Sequence, residues 1–446
     1  MRRQIVAETG AGTERLSADV VRRDDARSAG RRSQRVRLIN VVLLVGGYGL
    51  GQGAIFVVQT WLVARGAFEL LSSFGTLFSF AMLSIFLIDA GSTTTLARRI
   101  AGLADDDASD EEIWPVFWAT VVVRGGIALA LATGAIVYAL GFAADLFSRY
   151  YLMSIIPGLA VWTCNAVGML DGRRLSGVSG ITGSLAFATS ALALVLAVNM
   201  PPPVAGGILG SAFSLGYVLT VAAQWVALKR VGQRIRFRRP GLSGVRQAFL
   251  DGAALVSQFV PGQLILRAQL VMSTVYLGAE STALFVYAKQ AVVATTMLVG
   301  FIMRVDFPGL VQKLKQEESP GLRTLCEAQK LAIATAIFFA AAMFVVGMAA
   351  PLIPQDNLAR AAELLMAYAP TIVIISMVTI MMQGTAAMGD YVAGAKAIAI
   401  STLVGTIASY AAIGWFGIYA LLAGEVTGHG LSLALLYVHL RQRKAR

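Results

Sequence analysis

The stretch "KRVGQRIRFRRPGLSGVR", residues 229–246, carries seven basic side chains and no acidic one, near the middle of a 446-residue chain. Six apolar stretches of about twenty residues precede it and six follow. The first six run Leu38–Val63, Leu71–Leu96, Ile113–Leu140, Leu152–Leu170, Ser176–Val198 and Val204–Val226. The second six run Ala248–Val275, Thr282–Met303, Leu331–Leu352, Leu364–Met388, Ala393–Trp415 and Ile418–Leu440. Each is long enough to cross a bilayer as a helix, so the sequence predicts an all-α polytopic membrane protein of about twelve transmembrane helices. The basic stretch then divides it into two six-helix bundles, 38–228 and 248–440, joined by a linker at 229–247. Basic tails at 1–37 and 441–446 complete the chain.

The charges test that count. Of 37 Lys and Arg, Arg65, Arg149 and Arg360 fall on the expected outer connections, and Arg124, Arg267 and Lys289 fall within spans. The remaining 31 lie on the other side, which predicts both termini in the cytoplasm. The net charge of +12 is therefore an orientation signal and an attraction to anionic lipid, and nucleic acid is not an expected partner.

With 57% hydrophobic residues and a mean hydropathy of +0.70, the spans consume nearly the whole chain. No outer loop is long enough to carry catalytic carboxylates, so an enzyme such as a glycan polymerase or ligase is not expected. Cys164 and Cys326 are too distant along the membrane axis for a disulfide. With two Cys and two His, neither a metal site nor a bound cofactor is expected. Residues 1–37 hold ten Arg and five acids with no apolar core, which reads as a disordered cytoplasmic tail rather than a cleavable signal peptide.

A weak internal repeat supports the two halves. Gly66, Ala67, Glu69 and Phe74 follow the first span, and Gly278, Ala279, Glu280 and Phe285 follow the seventh. Parallel repeats of this kind are a common transporter plan.

Charged residues inside the spans are the candidate functional groups, because an ionised Arg at the bilayer centre costs about 3 kcal/mol on insertion scales. Arg267 shares a helix face with Gln263 at i, i+4, and its guanidinium suits a phosphate held in a wet cavity; the alternative is snorkelling or a carbonyl partner. Lys289 admits either substrate contact or an ion pair with another helix, and Arg124, before Gly125 and Gly126, either faces the cavity or, if its helix begins late, is an inner-surface arginine. Asp89, Arg98 and Arg99, with Arg304 and Asp306 at the comparable place after the eighth span, read as a charged gate at the inner surface. Glu425 and His429 lie one turn apart and read either as a proton relay or as an interhelical hydrogen bond.

Four segments resemble one family. These are "LLVGGYGLGQG" (43–53), "LIDAGSTTTLARRIA" (87–101), "MLDGRRLSG" (169–177) and "LILRAQLVMSTVYLGAESTALFVYAKQ" (264–290). They are similar to the O-antigen-type polysaccharide flippases of the multidrug, oligosaccharidyl-lipid and polysaccharide exporter superfamily. The resemblance implies a central cavity between the bundles and alternating access. It also implies transport of an undecaprenyl-diphosphate-linked oligosaccharide from the cytoplasmic to the periplasmic leaflet of a bacterial inner membrane, for surface polysaccharide biosynthesis. A proton or sodium ion is an implied coupling partner, and polysaccharide polymerase and chain-length proteins are implied associates. One departure stands out: relatives often carry Asp two residues after the seventh-span Arg, where this chain has Gln269. A cation-coupled multidrug exporter is the alternative, but cationic drugs want carboxylates in the cavity, and Arg124, Arg267 and Lys289 favour an anionic cargo. A major-facilitator transporter fits poorly, since "RRIAGLADDDASDEE" (98–112) lacks its loop motif.

Overall fold

The computed structural model describes residues 39–444, apart from 41, 90–91, 106–109, 174, 234, 317–320 and 389. At some further positions, Arg98 and Arg304 among them, only the backbone is described. The tail expected over 1–37 lies outside these residues, as does the end of the 441–446 tail.

Among the described residues every regular element is helical: α1 (Val42–Ala64), α2 (Phe68–Asp89), α3 (Ser92–Asp105), α4 (Asp110–Gly141), α5 (Leu146–Trp162), α6 (Val167–Gly172), α7 (Ser176–Ala197), α8 (Pro202–Arg230), α9 (Leu242–Tyr276), α10 (Gly278–Gln316), α11 (Leu322–Ala328), α12 (Lys330–Met348), a short 3-10 turn (Ala350–Leu352), α13 (Asp356–Ala387), α14 (Tyr391–Phe416) and α15 (Ile418–Lys444). Among the described residues eleven segments are long and apolar enough to cross a membrane. The remaining expected span, the seventh, falls on α9. Its 35 residues are ample in length, but Gln258, Gln263, Arg267 and Gln269 make it too polar for the same criterion. The chain is thus a multi-pass, all-α membrane protein of about twelve transmembrane helices.

Several expected edges move. The eighth span ends at Met303 as expected but starts at Gly278, and its helix, α10, continues beyond the span to Gln316. The tenth begins at Asp356, eight residues before Leu364, where that acid occupies the first helical turn. The ninth closes at Met348, because Pro351 cannot extend the helix and a 3-10 turn takes over. The fourth span breaks between α5 and α6, at residues 163–166.

Packing within each half relies on small residues, as expected where lipid removes the hydrophobic drive between helices. A Cβ at Gly158 would lie 2.8 Å from the Ser214 backbone, so α5 and α8 touch closely. In the second half a Cβ at Gly405 would lie 2.7 Å from the Gly424 carbonyl, bringing α14 against α15. Leu129, Val137, Leu192, Leu403 and Ile407 stay exposed on the outside, the surface a hydrocarbon solvent requires. The repeat has a backbone counterpart: Gly66 (φ 70°) and Gly278 (φ 77°) both turn the chain through the left-handed region, and Phe74 and Phe285 are both buried beyond them.

Candidate functional site

The parts of the chain before and after residues 229–247, its two halves in sequence, touch along a seam formed by α1 and α2 from one side and α9 and α10 from the other. From α1, Tyr48, Gln52, Phe56 and Thr60 recur every four residues and so share one face. Tyr48 donates to the Met297 sulfur and packs edge-on against Phe301, with ring centroids 5.4 Å apart. Gln290 donates to Gln52. Phe56 stacks on Tyr287 at 4.8 Å, and Thr60 Oγ1 donates to Tyr287 Oη at 3.1 Å. Beside this ladder a Cβ at Gly75 of α2 would overlap the Val286 side chain of α10.

Arg267 lies on the same seam. One face of α9 turns to its own half, where Gln269 Nε2 donates to Ser409 Oγ (3.1 Å) and the Leu421 carbonyl (2.8 Å). Arg267, two residues away, points to the other side. Its Nη1 donates at 2.9 Å to both the carbonyl and the Oε1 of Gln263, and its Nη2 donates at 3.1 Å to the Ser79 carbonyl across the seam. It is 8% exposed, and its Nε has no partner. The Ser79 and Thr76 hydroxyls, one turn apart on α2, are also buried without partners. Arg267 is therefore held by carbonyl oxygens, and no carboxylate contacts it among the described residues.

Lys289 faces differently. It points from α10 into the second half, where Nζ lies 2.7 and 2.8 Å from the two Glu425 oxygens and 5.7 Å from the centre of the Tyr368 ring. Glu425 is 1% exposed, and only its Oε2 has hydrogen-bond geometry. The Tyr368 hydroxyl has no partner. His429, one turn along α15, is half-buried.

Arg124 points into the first half and is completely buried. Nη2 lies 3.0 Å from Asp89 Oδ1; Nε donates to Ser92 Oγ (2.9 Å), Nη1 to the Asn165 carbonyl (3.0 Å) and Nη2 to Thr93 Oγ1 (3.2 Å). Asn165 Nδ2 donates to Asp89 at 2.9 Å. The reason for the cluster is local. The α5–α6 break strips backbone groups of their helical partners, and a buried polar group must find another. Arg124 serves the Asn165 carbonyl, Trp225 Nε1 serves Cys164 (3.0 Å) and Gln224 accepts from the Ala166 amide (2.9 Å).

The expected gate residues separate. Asp89 engages Arg124 of its own half. Arg99 Nη2 pairs at 2.6 Å with Asp251 Oδ2 of α9 and so does link the halves. Asp306 is half-buried in the extension of α10, and the side chains of Arg98 and Arg304 lie outside the described residues. The reading of sequence alone missed Asp251, Ser79, Asn165 and Tyr368. Asp251 had a signal, as an acid one turn after the basic linker; the other three act through a backbone carbonyl, an amide and a ring, which no spacing marks.

No protein-family model matches this chain, and no curated protein matches it in sequence. Solved structures do. An inward-facing multidrug resistance MATE family transporter of the MOP superfamily aligns with TM-score 0.70 at 14% identity, covering 92% of this chain and 98% of the other. An outward-facing one aligns at 0.63 and 16% identity over the same shares. A MOP superfamily transporter from Pyrococcus furiosus, described as having a binding pocket of reverse polarity that suggests a different function, aligns at 0.58 and 14%, again over 92% and 98%. These likenesses show that the chain has the fold of MATE transporters.

Proposed function

We propose that this protein is an alternating-access transporter for an anionic amphiphile, most specifically a flippase that moves undecaprenyl-diphosphate-linked oligosaccharide from the cytoplasmic to the periplasmic leaflet. One observation carries the reading. Of the three cations buried in the spans among the described residues, Arg124 and Lys289 are neutralised by Asp89 and Glu425 inside their own halves, which leaves Arg267 as the one of these three at the seam. A guanidinium held by carbonyls and keeping a spare N–H is suited to receive phosphate oxygens in a paired fork. Residues 38–228 and 248–440 act as the two moving bodies, with Gly75 and Val286 at their contact and Arg99–Asp251 closing the linker end. The chain resides in a bacterial inner membrane with both termini cytoplasmic, and it works with polysaccharide polymerase and chain-length proteins. Glu425 and His429 are the groups through which a coupling proton would act.

Transport of labelled lipid-linked oligosaccharide into proteoliposomes tests the assignment. Arg267→Ala should abolish transport at unchanged protein levels, and Arg267→Lys should restore only part of it, because an ammonium lacks the planar fork. Full activity of Arg267→Ala would overturn the phosphate role. Reporter fusions after Arg246 and Ala279 should report opposite sides of the membrane.

A cation-coupled multidrug exporter is the second reading, favoured by the description of the MATE structures as multidrug transporters. It predicts that export of cationic dyes survives Arg267→Ala and fails in Glu425→Gln.

A further inference from the structure

The linker that joins the halves forms a surface of its own. From Ile235 to Pro240 the backbone is neither helix nor strand, and Ile235, Arg236, Phe237, Arg238 and Arg239 are all exposed. Phe237 is 82% exposed and Leu242, which opens α9, 89%. The patch continues up the first turns of α9. Leu242, Arg246, Phe249 and Leu250 stand at i, i+4, i+7 and i+8, so they share a helix face, and all four are exposed. The strap is fixed to the first half by Trp118 of α4, whose Nε1 donates to the Arg236 carbonyl at 2.9 Å and whose ring lies 4.2 Å from that of Phe237.

Two constraints locate such a segment. Backbone without regular hydrogen bonds cannot lie exposed in hydrocarbon, which keeps the strap out of the bilayer core. Large exposed apolar side chains and an aromatic pair are equally poor in bulk water and belong at the interface, as Trp and aromatic belts do. Basic residues interleaved with them supply complementary charge for one kind of surface at that depth. We propose that the linker and the first turns of α9 form a docking surface for the headgroups of anionic bilayer lipids, with Arg236, Arg238, Arg239 and Arg246 contacting the phosphates and Phe237 and Leu242 entering the acyl boundary. Bound lipid would hold the strap, and with it the junction of the two halves, against the membrane surface. This surface is independent of the cargo proposed above.

The test uses the purified full-length protein, stripped of lipid in neutral detergent and titrated with phosphatidylglycerol or phosphatidylcholine. Retained lipid is counted by mass spectrometry, alongside the apparent melting temperature. Phosphatidylglycerol should be retained and should raise the melting temperature, with both effects falling in 0.5 M salt, a concentration of about 0.5 M shrinking the screening length to a few ångströms. Phosphatidylcholine should do neither. Changing Arg236, Arg238, Arg239 and Arg246 to Gln should weaken phosphatidylglycerol retention roughly fivefold per arginine removed. Arg323→Gln on α11 should change nothing. Phe237→Ser with Leu242→Ser should weaken retention without altering its salt dependence. Should the quadruple variant not fold, the single Arg239→Gln change on an exposed side chain must still show its own loss. Parental retention in the arginine variants, or equal retention of the zwitterionic lipid, would overturn the proposal.

Discussion

Each half of the molecule buries one ion pair, and the two are built differently. In the first half Arg124 is saturated: a carboxylate, two hydroxyls and a carbonyl surround it, and Asp89 is in turn held by Asn165. In the second half Lys289 meets Glu425 and the face of Tyr368, while one Glu425 oxygen and the Tyr368 hydroxyl are left without hydrogen bonds. A fully satisfied cluster specifies one arrangement, whereas a partly satisfied one has less to lose on rearranging. The arginine is also permanently charged, but a lysine or a carboxylic acid stripped of its partner can give up its charge. The first pair therefore behaves as a clasp that ties α2 and α4 to the break between α5 and α6. The second has the makings of a switch.

The largest expected effect breaks the clasp. Asp89→Ala leaves Arg124 charged in a dry site and should cost about 3–5 kcal/mol, read as a steep fall in apparent melting temperature. Replacing both residues with Leu should recover much of that loss. Next, Glu425→Gln should cost only about 1–3 kcal/mol, since the amide still accepts from Lys289. If the pair carries a coupling proton, the same variant should transport with a flattened dependence on external pH; a loss as large as that of Asp89→Ala would erase the distinction between the halves. Third, Gly75→Ala overfills the contact with Val286 and should cost about 1–3 kcal/mol. Val286→Ala in the same chain should relieve it, and simple additivity in the double variant would show that the seam is not packed there. The smallest effect sharpens the repeat: Gly66→Ala and Gly278→Ala should each cost about 1 kcal/mol through their left-handed backbone, and unequal melting shifts would argue against equivalent turns.

Much of the fold was legible from residues 229–246 outward, because a bilayer imposes a length and a charge asymmetry that show in any span. The places where the reading slipped are those where polarity serves assembly. Helix α9 fails an apolar criterion because Gln263 and Arg267 face the seam and Gln269 ties it to α14 and α15. The break after Trp162 carries no proline at the break itself, and the groups that support it sit elsewhere in the chain, in Arg124, Gln224 and Trp225. Partner choice was the least readable. Lys289 and Glu425 are 136 positions apart, and Arg99 finds Asp251 at a separation of 152. The sequence marked the charged side chains as unusual but held no local sign of which would be neutralised and which would stand at the seam.

The neutralised pairs also bear on voltage. Charge that travels across a membrane exchanges about 2.3 kcal/mol per elementary charge per 100 mV with the transmembrane potential. Arg124 is paired with Asp89 and Lys289 with Glu425, so in the proposed rocking of the halves those dipoles would shift little net charge through the field. Arg267 is the exception. In the proposed cycle an inside-negative potential would act chiefly through this one guanidinium and its cargo, and for the proposed anionic headgroup leaving the cytoplasm that force points outward.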